Sequence, residues 1–350
     1  MQSLFNIINI PFGYVMRFIA GIFGGNFAVS VLLFTLFINL LLIPLSIKSQ
    51  KSTVQQARIK PKLDELKKRY GDDKQKYNTA MQQLYQEEGV SMSGGCLPMI
   101  VRLLVLMSIY WLIMSPLTYM AGADKTKIET VNTALSTRMG ELEKSENESD
   151  KKFYNSLKNE YGLTSNDRAN RTELGLIRVI RAEDDKLIEK ILTEKQYKEI
   201  RDDYLAIKAK DDATNINYKI FGIDLTRTPK FSVDFKTFEA LWFIPIGAFL
   251  SQILTSLISM KINKKNNPEA PSMAGMMLLM PVITLFIGFG LPGGVGFYWI
   301  CSSLIGGLLQ SAIQVFYGPQ RLLAETRAKE LAVQADFELK QLEKFKGVEG

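Results

Sequence analysis

Apolar stretches about as long as a bilayer is thick, separated by segments dense in charge, constrain this chain more than any other feature. A helix needs about 20 residues to cross a ~30 Å hydrocarbon core, and such stretches occur at 27–47, 96–117, 240–260 and 274–317. The last is long enough for two crossings, 274–290 and 295–317. They are divided at "LPGGVG" (291–296), where a proline and adjacent glycines are expected to turn the chain into a hairpin. In lipid every backbone N–H and C=O must find an internal partner, so these blocks predict an all-α polytopic membrane protein with five transmembrane helices.

Basic residues in the short loops set the orientation. Residues 48–95 carry ten Lys/Arg against six Asp/Glu, and 261–273 carry three against one. Both are expected in the cytoplasm, which puts the N-terminus and 118–239 outside and the tail 318–350 inside. Residues 1–26 have no Lys or Arg before Arg17, unlike the basic start of a secretory signal. Their aliphatic and aromatic residues flank Pro11, Gly13 and Arg17, a pattern suited to an amphipathic helix in the membrane interface.

The segments between spans read as helical. In 48–95 the first helix continues span one and is expected to kink or end near Lys60, ahead of Pro61. A second helix follows Asp72 and Asp73, stops at Gly89 and stripes Tyr77, Met81, Leu84 and Tyr85 along one face, so a turn at Gly71 makes a cytoplasmic helical hairpin. The segment 118–239 carries 22 basic and 23 acidic residues. Its apolar residues Ile177, Ile180, Leu187, Ile191, Tyr197, Ile200 and Leu205 recur with amphipathic spacing, whereas 140–170 is polar and expected to loop. A small helical subdomain and a charged, solvated spacer both fit.

Arg102 is the costly residue. A central arginine in a membrane helix costs roughly 2.5–3.5 kcal/mol on insertion scales. It lies about 9 Å inside span two at 1.5 Å per residue, so it either snorkels to the headgroups or lines a hydrated cavity. Asn39 sits at a similar depth in span one. Ser251, Gln252, Thr255, Ser256 and Ser259 occupy the inner half of span three, and Ser302, Ser303, Gln310 and Gln314 run inward from the middle of span five. Polarity gathered on one half of several spans fits a groove open to the cytoplasm. No Asp or Glu lies in any span and the chain has no histidine, which argues against a proton relay, a metal centre or an activated serine. Cys96 and Cys301 both sit in apolar segments and give no disulfide framework. The expected function is non-enzymatic, with no cofactor and no metal.

Four stretches, "FAVSVLLFTLFINLLLIPLSIKSQKS" (27–52), "LYQEEGVSMSGGCLP" (84–98), "FGIDLTRTP" (221–229) and "LPGGVGFYWICSSL" (291–304), resemble in order and spacing the signatures of the YidC/Oxa/Alb membrane protein insertases. The resemblance covers roughly 5–120 and 215–320. It implies a bacterial plasma-membrane insertase and chaperone of the Gram-positive type, whose hydrophilic inner-leaflet groove receives the polar segment of a nascent membrane protein. Its partners would be nascent membrane proteins and the lipid bilayer, with the Sec translocon and the ribosome as further candidates and no specific nucleic acid.

The resemblance also shows departures. The family's groove arginine belongs in span one, in a pattern like "IRLLLLPL"; here the stretch is "INLLLIPL" and the position is Asn39, while Arg102 stands where the family has glutamine in span two. The charge is expected to have crossed the groove. The substrate-groove set is therefore Arg102, Asn39, Gln252, Trp299, Thr35, Ser256 and Ser303, with Trp299 equally suited to packing. The tail balances six basic against six acidic residues, unlike strongly basic ribosome-binding tails, and 118–239 exceeds the usual loop in length. Two alternatives stand beside the insertase: a polytopic transporter or channel, and a membrane-anchored assembly module acting through 118–239, which deletion of 125–215 would separate.

Overall fold

The computed structural model describes residues 2–90, 97–165, 173–232, 238–266, 274–318, 328 and 331–339. Within them the chain is an all-α membrane protein. Its helices are α1 (Gln2–Ile22), α2 (Phe27–Leu41), α3 (Ile43–Tyr70), α4 (Lys74–Glu87), α5 (Leu97–Met114), α6 (Lys125–Lys144), α7 (Glu148–Ser156), α8 (Leu174–Ile180), α9 (Leu187–Ile191), α10 (Glu194–Thr214), α11 (Phe243–Asn266), α12 (Ala274–Gly288) and α13 (Gly293–Phe316). A two-stranded antiparallel ribbon, β1 (Lys219–Ile220) and β2 (Ile223–Asp224), lies between α10 and α11.

Among the described residues, Ala240–Ile262 and Gly293–Phe316 are each long and apolar enough to cross a membrane. Phe27–Leu41 and Ile43–Ser52 qualify only as a pair, and Leu103–Met114 and Leu278–Gly288 are apolar but shorter. The sequence treated 27–47 as one helix; the chain breaks it at Leu42. Pro44 then falls in the first turn of α3, where its missing N–H leaves no bond unmade. Pro61, expected to bend or stop the helix, does not stop it: α3 runs on to Tyr70. Arg58 and Lys62, on either side of Pro61, both pair with Glu88 beyond the end of α4, Arg58 at 2.8 Å. That clamp, with Ile59 and Leu84 buried, holds the helix through the proline. The chain leaves α3 at Gly71, and Asp73 caps α4 by accepting from the Lys76 N–H at 3.1 Å.

The contacts divide the chain into two compact units. Unit one comprises 1–38, 104–253 and 276–305; unit two comprises 39–103, 254–275 and 306–350. In unit one the inserted segment has a core of its own. Ile128, Val131, Leu135, Met139 and Leu142 face inward along α6, and Ile200, Tyr204 and Ile207 do so along α10. This is a helical subdomain rather than a solvated spacer. Leu205, placed on the apolar face by its spacing, is exposed, and its neighbours Tyr204 and Ile207 take the interior. The expected loop at 140–170 is largely helix up to Tyr161: α6 continues to Lys144, Asn147 caps α7, and a π-turn spans Leu157–Tyr161. Buried Tyr154 and Leu157 give that polar stretch its anchor.

Two sets of bonds fasten the insertion to the ends of the apolar helices within unit one, and a third, between Arg181 and Asp211, ties its own helices together. Glu173 donates its backbone N–H to the Met114 carbonyl at the end of α5 (3.0 Å), and its buried carboxylate accepts from the Thr118 N–H (2.9 Å) and hydroxyl. Burial pushes that carboxyl up to about 7, against the hydrogen bonds from Thr118 that favour its charged form. Arg181 grips buried Asp211 through two bonds, 2.6 and 2.8 Å, and donates to the Ile216 carbonyl. Asn217 then donates to the Gly25 carbonyl (2.7 Å) and accepts from the Phe27 N–H (3.0 Å) at the start of α2.

Candidate functional site

The polar side chains assigned to the groove divide between the two units and are described within each. In unit one, Thr35 is buried and donates to the Val31 carbonyl one turn back on α2 (2.6 Å). On α13, Ser303 donates to the Trp299 carbonyl at 2.7 Å. Such back-bonding satisfies a hydroxyl in an apolar setting without a second chain segment. Trp299 and Gln252 are half-buried. The helices carrying them touch closely: a Cβ on Gly247 would stand 3.0 Å from the Ile300 Cδ1, and one on Gly296 would stand 2.6 Å from the Ile244 Cγ2.

In unit two, three helix segments meet at a glycine pair that sequence reasoning missed. A Cβ on Gly306 would lie 3.1 Å from the Asn39 Oδ1, and one on Gly307 would lie 2.7 Å from the Thr255 Cβ. The end of α2 and the second half of α11 thus approach the same turn of α13, one through an amide and the other through a threonine. Only glycine leaves room for both. Asn39, Thr255 and Ser256 are half-buried, and Ser256 lies one turn after Gln252 on α11, so helical spacing puts the two on one face. The signal was present as adjacent glycines inside "SSLIGGLLQ", but small residues in a membrane helix also mark ordinary close packing. Arg102 belongs to α5; its side chain lies outside the described residues, as does Cys96.

The hairpin turn at 291–296 also differs from expectation. Gly293 and Gly294 open α13 rather than forming the turn. Their N–H groups, which a helix start leaves unpaired, donate to the carbonyls of Arg227 (2.8 Å) and Leu225 (2.7 Å). Side chains there would collide: a Cβ on Gly294 would be 3.0 Å from the Ile113 Cγ2 and 3.4 Å from the Leu225 carbonyl oxygen. Two of the four signature stretches, "FGIDLTRTP" and "LPGGVGFYWICSSL", are therefore bonded to each other. Among the described residues no cluster of Cys, Asp or Glu could hold a metal ion.

A family model described as the 60Kd inner membrane protein matches residues 18–159 and 195–319, more than half of the chain. A membrane protein insertase YidC of Cellvibrio japonicus is 40% identical over 104 residues, 30% of this chain and 19% of that protein. The YidC of Alkalilimnicola ehrlichii is 41% identical over 90 residues, 26% of this chain and 16% of its own length. That of Methylococcus capsulatus is 38% identical over 111 residues, 32% and 20%. The matches span no more than a fifth of the length of these curated relatives. With the family model running from α1 to the end of α13, the chain belongs to the 60Kd inner membrane protein family, the YidC/Oxa/Alb family that its four signature stretches resemble.

Proposed function

We propose that the protein is a membrane protein insertase and chaperone of the bacterial plasma membrane, receiving nascent membrane proteins in a hydrophilic groove on the cytoplasmic half of its spans. In this reading the chain crosses five times, with its N-terminus outside, the α3–α4 hairpin and the tail in the cytoplasm, and 118–239 outside. The observation that carries it is the meeting of Asn39, Thr255 and the Gly306–Gly307 turn, at the level where a family member needs polar groups inside an apolar frame. Arg102 is assigned the charge, and Gln252, Ser256, Trp299, Thr35 and Ser303 are the other residues that the family resemblance assigns to substrate contact.

The chemistry needs no covalent step. A hydrated half-channel shortens the stretch of hydrocarbon that a polar segment must cross, and so lowers its desolvation cost. An arginine in that setting attracts an acidic segment more strongly than it would in bulk water, because the effective dielectric is lower. Reconstitution of the chain in vesicles with a substrate bearing an acidic outer segment tests this. Arg102→Ala should reduce insertion, and Asn39→Arg combined with Arg102→Gln should restore it. Normal insertion by Arg102→Ala would leave Arg102 a snorkelling residue and remove the charge from the mechanism.

A further inference from the structure

The ribbon formed by β1 and β2 closes on Phe221 and Gly222, both with positive φ, 49° and 80°. A two-residue loop with both central residues left-handed is a type I′ turn, whose first position favours Asn or Asp and is an outlier for a bulky side chain. Here it holds a phenylalanine that is 97% exposed. Folding gains nothing visible from it: the ring meets no core, and asparagine would suit the backbone better.

The position of the ribbon indicates what covers the ring. Its first strand follows Asn217, which is bonded to Gly25 and Phe27 at the start of α2; its second leads into Leu225 and Arg227, bonded to Gly294 and Gly293 at the start of α13. Both roots therefore sit where apolar helices begin. Phe221 is four steps along the chain from Asn217, so the tip stays within roughly 13 Å of that level at 3.3 Å per residue. Nearby in the same unit, the start of α11 carries a ring cluster: Phe231 stacks on Trp242 at 6.1 Å, Phe289 meets Trp242 edge-on at 5.2 Å, and Phe238 tilts against Trp242 at 5.4 Å. Phe231, Phe238 and Phe243 remain exposed, an apolar aromatic surface that water does not favour and lipid does. Lys219 and Arg227 flank the ribbon and are exposed, while the Asp224 carboxylate turns back to accept from the Thr226 N–H and hydroxyl.

We infer that the β1–β2 ribbon is a lipid anchor, inserting Phe221 into the leaflet on the insertion's side of the membrane, with Lys219 and Arg227 at the phosphate level. This requires the apolar helices to cross a bilayer but does not depend on insertase activity. The test uses the full chain with Cys96→Ser and Cys301→Ala, in phosphatidylethanolamine–phosphatidylglycerol vesicles, with a nitroxide at Phe221→Cys and, as a water-exposed control, at Lys210→Cys. Power saturation should show oxygen accessibility at 221 rising above the control and accessibility to a water-soluble nickel complex falling below it. Nickel accessibility equal to the control would overturn the proposal, because the tip would then stand in water. Protection from both reagents would also overturn it, in favour of a protein contact. Phe221→Asn should leave the unfolding midpoint in detergent unchanged or raised; a fall would make the ring a folding residue and count against the anchor.

Discussion

The attachment at Gly25 can be tested against its own neighbour. Gly24 and Gly25 both adopt left-handed backbone, φ 63° and 76°, so alanine at either position incurs about 1–2 kcal/mol of strain. They differ in what a side chain would meet. At Gly24 nothing lies within 4 Å, whereas a Cβ on Gly25 would overlap the Asn215 carbonyl oxygen and stand 3.1 Å from its carbon and 3.4 Å from the Ile216 Cα. All three are backbone atoms that cannot rotate away. Relief requires the α2 start and the 215–217 segment to part, with loss of the Asn217–Gly25 and Phe27–Asn217 bonds, each worth about 1 kcal/mol net. Gly25→Ala should therefore cost roughly 3–4 kcal/mol and Gly24→Ala about 1–2. Equilibrium unfolding of the purified chain in detergent micelles gives the two values, and hydrogen exchange at Ile216–Tyr218 should rise only in Gly25→Ala. Equal losses from the two alanines would refute the reasoning, since strain alone would then account for both.

Two further outcomes follow from the buried charges of the insertion. The Glu173 carboxyl titrates at about 7 when folded against 4.5 for the free group, so its contribution is fully present below about pH 4.5 and is lost as pH rises through about 7, a loss of about 3 kcal/mol. Glu173→Gln keeps an acceptor for Thr118, and its unfolding midpoint should be flat across that window where the parent chain declines. Arg181→Met strands the buried Asp211 carboxylate and should cost about 3–5 kcal/mol, while Arg181→Met with Asp211→Leu should recover most of it; thermal unfolding in micelles measures both.

The apolar blocks were legible because lipid enforces helix wherever the chain crosses it, and the hairpin at Gly71 was legible because Asp73 and Gly89 are local signals. What escaped depended on partners distant in sequence. Pro61 is a local argument for stopping a helix, overruled by Glu88, which is reached by Arg58 across 30 positions. The polar stretch 147–161 becomes helical because Tyr154 and Leu157 find a core. Leu205 was misplaced by a smaller error: a five-residue step from Ile200 rotates a side chain by about 140°, off the stripe that Tyr204, Ile207 and Asp211 follow. At the candidate site, amides and hydroxyls stood out against apolar surroundings. Gly306 and Gly307 did not, because a glycine announces space and never what fills it.

These attachments change how the role of the insertion must be tested. Deleting 125–215 is the direct way to separate an insertase with an accessory segment from an assembly module that works through that segment. The deletion, however, removes Glu173 from Thr118 and Met114, removes both members of the Arg181–Asp211 pair, and takes Asn215 from beside Gly25. It would leave the Met114 carbonyl at the end of α5 without its partner, at about 1–3 kcal/mol if buried, and Asn217, which bonds the start of α2, without the α10 segment that leads into it. Loss of activity after deletion would then report collapse of unit one whichever reading is correct. Substitutions at exposed positions leave those bonds intact. Reversing charge at Lys195, Lys198 and Arg201 on α10, all outside the core, should leave insertion unchanged if the segment is a scaffold that fixes helix ends. If it docks a partner through that face, insertion should fall while the unfolding midpoint stays where it was.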